Sequence, residues 1–162
     1  MRTDLSRFQM PRYREIPAIG LFLEQTVKYI NTALEPLGCM EITSSMVSNY
    51  VKKGYVKGPV KKQYDAESIA QLLFVTVAKS VLSMDNIKTM FEHQEKEYPI
   101  DKAYNYFCDV LEDSVFAHFG IREAKMEMDS SDNLVGMMRS VTIAASHIIY
   151  LHDRFAELEG EE

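Results

Sequence analysis

Ser45, Ser48, Asn49 and Lys52 recur at i, i+3, i+4 and i+7, so a helix through them would show two hydroxyls, an amide and an ammonium on one face. Such a set can meet a DNA major groove. Asn pairs bidentately with adenine, Ser serves bases or phosphates, and Lys takes guanine or phosphate. Four more lysines follow closely, at 53, 57, 61 and 62, and from Ile42 to Tyr64 there is no acid. Lys57, Lys61 and Lys62 are the candidates for flanking phosphate contacts, which position a protein without specifying sequence, and Lys53 and Tyr64 join them as candidate DNA-binding residues.

The charge of this stretch stands against the rest of the chain. By position, 42–64 carries +5 and 1–16 carries +2, while 17–41, 65–119 and 120–162 carry −2, −6 and −5. An acidic body repels a polyanion, but one basic face on it would attract phosphate and orient the encounter. A polar face alone is what any surface helix shows. The unbroken run of lysines, a cap and a glycine stop together make the electrostatic footprint of a nucleic-acid binder.

The elements that must hold these residues read as helices. Ile19, Leu23, Val27, Ile30 and Leu34 follow a helical spacing from Pro17, and Pro36 and Gly38 end it. Thr43 is placed to cap a helix from Ser44 to Lys53, with Met46, Val47, Tyr50 and Val51 on its apolar face and Gly54 as its stop. Val56 and Val60 around Gly58-Pro59 predict a small β-hairpin wing between Tyr55 and Tyr64. Asp65 caps a helix expected to reach Leu82, and Ser83 caps a shorter one. A charged segment, HQEKEYPI, reads as a linker, after which Asp101 is a plausible cap for a helix ending at Gly120. After a polar stretch, IREAKMEMDSSDN, the final helix from Asp132 to Glu157 is apolar nearly all round and has to be surrounded.

The pattern Asn49-Tyr50-x-x-x-Gly54, then Pro59, Tyr64-Asp65, Ile69 and Leu72-Leu73, with Ser83-Met-Asp-Asn-Ile87 after it, resembles the winged helix-turn-helix of MerR-type transcription regulators. It departs from that pattern at Ser48 and Lys62, where an arginine is usual, and at Asn49, where an aromatic is. The longer run from Pro11-Arg-Tyr through NYVKKG, PVKKQY and Leu82-Ser83 resembles bacterial family 1836 of the domains of unknown function, over roughly residues 10–120. The first resemblance implies a duplex-DNA-binding regulator. The second implies no activity.

The expected protein is therefore all-α, with a MerR-like winged helix-turn-helix. Residues 1–16 would be a basic arm, 17–95 the winged domain, and 96–162 a helical region for dimerisation or effector binding. Double-stranded DNA is the expected partner, through Ser45, Ser48, Asn49, Lys52, Lys53, Lys57, Lys61, Lys62 and Tyr64. The alternative is a helical adaptor whose basic face meets an acidic protein. A homodimer through the last helix suits a palindromic site.

No enzyme, metal or cofactor is expected. His147 and His152 lie five apart and so lack the i, i+4 geometry of a helical metal pair. Cys39 and Cys108 show no ligand spacing, and no Gly-rich phosphate loop or nucleophile elbow is present. Tyr104, Tyr106, Phe107, Phe116 and Phe119 could line an aromatic cavity, though packing explains them as well. Arg139 and His147 interrupt the longest apolar run, which argues against a membrane span. With no apolar core behind the N-terminal charges, a cytoplasmic location is expected. The sequence leaves open whether an effector binds.

Overall fold

The computed structural model describes residues 5–125 and 132–160, and it is mostly helical. Six α-helices follow one another: α1 Leu23–Leu34, α2 Ser44–Lys52, α3 Ala66–Ala78, α4 Met84–Glu97, α5 Ile100–His118 and α6 Asn133–Gly160. Short 3-10 turns lie at Leu5–Arg7, Tyr13–Glu15 and Glu35–Leu37. The all-α expectation holds.

α3 is the central helix. Ten of its residues are buried, from Ser68 to Ala78, because neighbours cover it nearly all round. α5 and α6 pack against it and against each other, and α1 covers another side. Phe74 of α3 meets Phe107 of α5 with ring centroids 5.1 Å apart and Phe91 of α4 at 5.7 Å. One apolar core extends from Leu5 to Ile149. Edge-to-face aromatic packing of this kind adds about 0.5–1.5 kcal/mol per pair beyond the burial itself.

The caps expected at Thr43, Asp65 and Ser83 form. Their side chains accept from the backbone N–H groups of Met46, Ser68 and Asn86. Each such cap stabilises its helix by about 1 kcal/mol. Gly54 ends α2 in the left-handed region, at φ 76°, where a side chain would be strained.

Several boundaries differ from the sequence expectation. α1 begins at Leu23, because the N–H and C=O of Leu21 are both engaged by Tyr64, at 3.0 and 2.7 Å, which keeps the preceding residues out of the helix. α3 stops at Ala78, and residues 79–82 form a turn. The charged segment is no linker. His93 to Glu97 complete α4, the Gln94 side chain donates to the Tyr98 carbonyl at 2.8 Å, and Pro99 precedes α5 directly. Proline suits that place because a first-turn N–H has no helical partner in any case. Asp132 caps α6 through the N–H groups of Leu134 and Val135, at 2.9 and 3.1 Å. Part of the polar stretch before it, residues 126–131, lies outside the described residues.

Residues 5–16 are not a loose arm. Leu5, Phe8, Met10 and Ile16 are buried in the common core. The phenol of Tyr104 donates to the Pro11 carbonyl at 2.7 Å, and Arg12 is clamped on α5.

The β-hairpin wing does not form. Among the described residues there is no strand, only isolated antiparallel bridges between Leu21 and Tyr64 and between Val60 and Gln63. The backbone that would build the wing is used elsewhere. The Lys57 N–H donates to the side chain of Gln71 at 2.7 Å, Pro59 has no N–H, and Tyr64 pairs with Leu21.

Candidate functional site

α2 is set by contacts on both sides. The Asn31 side chain of α1 donates to the Ile42 carbonyl at 2.9 Å and accepts from the Ile42 N–H at 2.8 Å. Lys79, just past α3, donates to the Glu41 carbonyl at 2.8 Å, and burial pushes its ammonium below its ordinary value. Val47 is fully buried and Tyr50 nearly so, which places the opposite face outward. Ser45, Ser48, Asn49 and Lys52 are indeed on the exposed side, with Ser44 half-buried beside them. After α2 the chain turns back: Tyr55 N–H donates to the Tyr50 carbonyl, and Gly58 passes beside Val51, so close that a side chain there would press on it.

The segment ends in a two-residue turn. Val60 and Gln63 exchange both backbone hydrogen bonds at 3.0 Å, and the two residues between them, Lys61 and Lys62, have φ of 51° and 66°. A turn with both central residues in the left-handed region is a type I′ geometry that favours Asn-Gly. For lysine it costs about 1–2 kcal/mol per residue. The turn is held against the body at Gly20, where a Cβ would lie 2.6 Å from that of Gln63. Both lysines are exposed at its tip.

Two of the expected contact residues are misplaced for that role. Tyr64 is only 4% exposed, its ring in the core and its backbone on Leu21, and burial raises its phenol above the ordinary value. Its hydrophobic ring is worth more inside than on a phosphate. Lys57 is exposed, but its ammonium lies 2.7 Å from Asp65 and 3.1 Å from Glu67, and these partners raise its pKa. Its charge is thus cancelled at short range by acids that fall just outside the lysine-rich stretch. Tyr64 and Lys57 leave the set.

The exposed side chains that remain together are Ser45, Ser48, Asn49, Lys52 and Lys53 on α2 and its end, with Lys61 and Lys62 at the tip of the turn. Among the described residues, no hydrogen bond or ion pair engages the side chains of Lys52, Lys53, Lys61 or Lys62. Sequence reasoning missed the residues that arrange this set, Asn31, Gln71, Lys79 and Gly20. Each acts across 11 or more positions, and nothing in its local pattern marks it. It also missed three apolar neighbours of the turn, Ile19, Phe22 and Val60, which are 81%, 51% and 68% exposed.

Other chemistry-bearing residues are spent on structure. Cys108 is buried, which pushes its thiol up to about 12 and makes it a poor nucleophile. Tyr104, Phe107 and Phe116 are core residues. The cavity beside Tyr104 and Phe107 holds about 30 Å³, space for a water or two. His118 and His147 stack with centroids 4.0 Å apart, and burial, then the neighbouring ring, lowers the pKa of His118. Among the described residues no three His, Cys, Asp or Glu converge as a metal site.

The fold and this surface define a small helical protein with one basic, uncommitted face. The sequence profile of the family described as domain of unknown function DUF1836 matches residues 11–107, more than half of the chain, and the chain belongs to that family. The match takes in α1 to α4, the lysine turn and the first part of α5, while α6 lies beyond it. No curated protein matches the chain, and no solved structure does.

Proposed function

We propose that this protein binds duplex DNA as a transcription regulator, with α1 and α2 as a MerR-like helix-turn-helix and the Lys61-Lys62 turn as a reduced wing. The observation that carries the reading is the turn. Two lysines occupy strained left-handed positions at an exposed tip, on an otherwise acidic chain, with no acid engaging them among the described residues. Strain held at an exposed tip is a mark of a used surface. A phosphate backbone uses both the charge and the projection. α2 supplies the reading face, where Asn49 is the side chain suited to an adenine and Ser45, Ser48 and Lys52 flank it.

The test is selection of bound duplexes from random DNA, followed by titration of variants on the selected and scrambled sites at two salt concentrations. Lys61→Ala with Lys62→Ala should weaken both duplexes and shallow the salt slope by about one unit for each phosphate that is no longer neutralised. Asn49→Ala should cost roughly 1–3 kcal/mol on the selected site and little on the scrambled one. Absence of any duplex binding by the parent protein would end the proposal. It would leave the second reading, a helical adaptor for an acidic protein. That reading is favoured by Ile19, Phe22 and Val60, whose exposed apolar surface beside the lysines suits a protein partner better than a phosphate chain.

A further inference from the structure

Both ends of α5 identify the course of α6. Tyr98, before α5, bonds Asp132 before α6, while Phe119, after α5, packs on Tyr150 at 5.3 Å. The two helices therefore run parallel, and α6 continues past the end of its support. Residues 151–160 add about 15 Å of helix at 1.5 Å per residue, and none of them joins the core.

This free end is not polar. Leu151, Phe155 and Leu158 are 51%, 60% and 60% exposed, with Ile148 at 37% before them. Traced back, the row continues through Ala144 and Met137, with the buried Val141 between them at the floor of a groove, so the steps alternate between three and four residues. A mean repeat of 3.5 is that of a helix seam made for another helix. At its other end the row lines an open groove of about 630 Å³ between α6 and the turn at Val81-Leu82, where Gly136 and Ala144 leave room. One half of the helix thus offers large side chains without a floor, and the other a floor of small ones.

We infer that two copies of the chain pair through α6 in antiparallel fashion, the overhanging end of each lying along the groove-bearing half of the other. Size and charge both select this orientation. With the two-fold axis between residues 149 and 150, Phe155 meets Ala144 of the second copy, Leu158 enters the groove above Val141, and Ile148 meets Leu151. Residues 151–160 hold Asp153, Glu157 and Glu159 against the single Arg154, whereas residues 133–147 hold Arg139 as their one charged group. Antiparallel pairing brings Arg139 beside the acidic end, at Glu159. Parallel pairing would set the two acidic ends side by side, and would leave the groove empty.

α6 is also long and apolar enough to cross a membrane by length and composition. Its inner face, however, packs on the core through Leu134, Met138, Val141, Thr142, Ala145 and Ile149. Lipid could reach only the outer row, which ends among carboxylates. A second copy covers that row and answers its charge. The pairing is independent of DNA binding, and a monomer that binds duplex would refute it alone.

Light scattering of the full chain at micromolar concentration should give twice the chain mass. Phe155→Asp should weaken pairing by at least about 100-fold, as removal of a central aromatic anchor does. Because Phe155 is exposed and beyond the core, the variant's helical circular dichroism should be unchanged. Cysteine variants then test the orientation, in a Cys39→Ser background. Ala144→Cys chains mixed with Phe155→Cys chains should form a disulfide dimer, while Phe155→Cys alone should not. Within one chain these positions are about 16 Å apart along the helix, too far to bridge. A monomeric parent protein, an unaffected Phe155→Asp dimer, or efficient cross-linking of Phe155→Cys with itself would each overturn the inference. So would a monomer that partitions onto lipid vesicles through α6.

Discussion

The chain has two basic segments, and the structure treats Arg12 of the first and the α2 and turn lysines of the second oppositely. In residues 5–16, Arg12 lies on α5 with its guanidinium 2.7 Å from Glu112 and 2.9 Å from Asp109, and it also donates to the Met10 carbonyl. Glu112 in turn accepts from the Met10 N–H at 2.8 Å. In residues 42–64, Lys52, Lys53, Lys61 and Lys62 project outward from α2 and its turn. Positive charge counted along a sequence is therefore not charge available to a partner. What separates the two is the presence of an acid on the neighbouring helix, which only packing supplies. Lys57 makes the same point within the second segment, since Asp65 and Glu67 hold it as Glu112 holds Arg12.

The largest effect should come from cutting the first clamp. Arg12→Ala leaves Glu112, only 13% exposed, without its cation. Breaking a partly buried pair of this kind should cost about 2–3 kcal/mol, somewhat below the fully buried case. Urea unfolding should show that deficit, while the salt slope of duplex binding stays as in the parent. A changed slope would mean that Arg12 contributes to the basic face after all.

Asp65 is next, because it caps α3 and pairs with Lys57. Burial opposes its ionisation, but the bonds from Lys57 and Ser68 outweigh burial and hold its pKa below 3.8. A depressed carboxylate stabilises the fold above its unfolded pKa and loses that contribution as pH falls through its folded one. Asp65→Ala should therefore cost about 1–2 kcal/mol at neutral pH, and the difference should shrink as the pH falls below 3.8. The same change removes one of the two acids that hold Lys57 and leaves Glu67 as the other. If basic charge near the turn governs binding, loss of this carboxylate should steepen the salt slope, and Asp65→Ala with Glu67→Ala, which frees Lys57, should steepen it further.

The smallest effect on stability has an unusual sign. Lys61→Asn with Lys62→Gly puts the preferred residues into the left-handed turn. It should stabilise the protein by about 1 kcal/mol in thermal unfolding, yet weaken duplex binding and shallow its salt dependence. A gain in stability with unchanged binding would assign the strain to the fold alone.

How much of this can be read along the chain follows from the range of the interactions. The caps at Thr43, Asp65 and Ser83, the stop at Gly54 and the outward face of α2 all depend on residues within one or two turns, so spacing reveals them. The helical class follows from the same periodicity. The β wing misleads for the opposite reason. Val56, Gly58, Pro59 and Val60 have the local form of a hairpin, but Gln71, 14 positions away, takes the Lys57 N–H, and Leu21 takes Tyr64. The charged run at His93–Glu97 misleads in the same way, since exposed charges suit a helix face as well as a linker.

By itself, then, the sequence determined the helices, their caps, the polar face of α2 and the basic stretch, because each rests on contacts a few residues apart. The tertiary structure decided which charges stay free, that Tyr64 is core, that residues 5–16 are part of the body, and that α6 outruns its support. Those outcomes depend on which elements become neighbours. That is fixed by burial of the common core rather than by any local pattern.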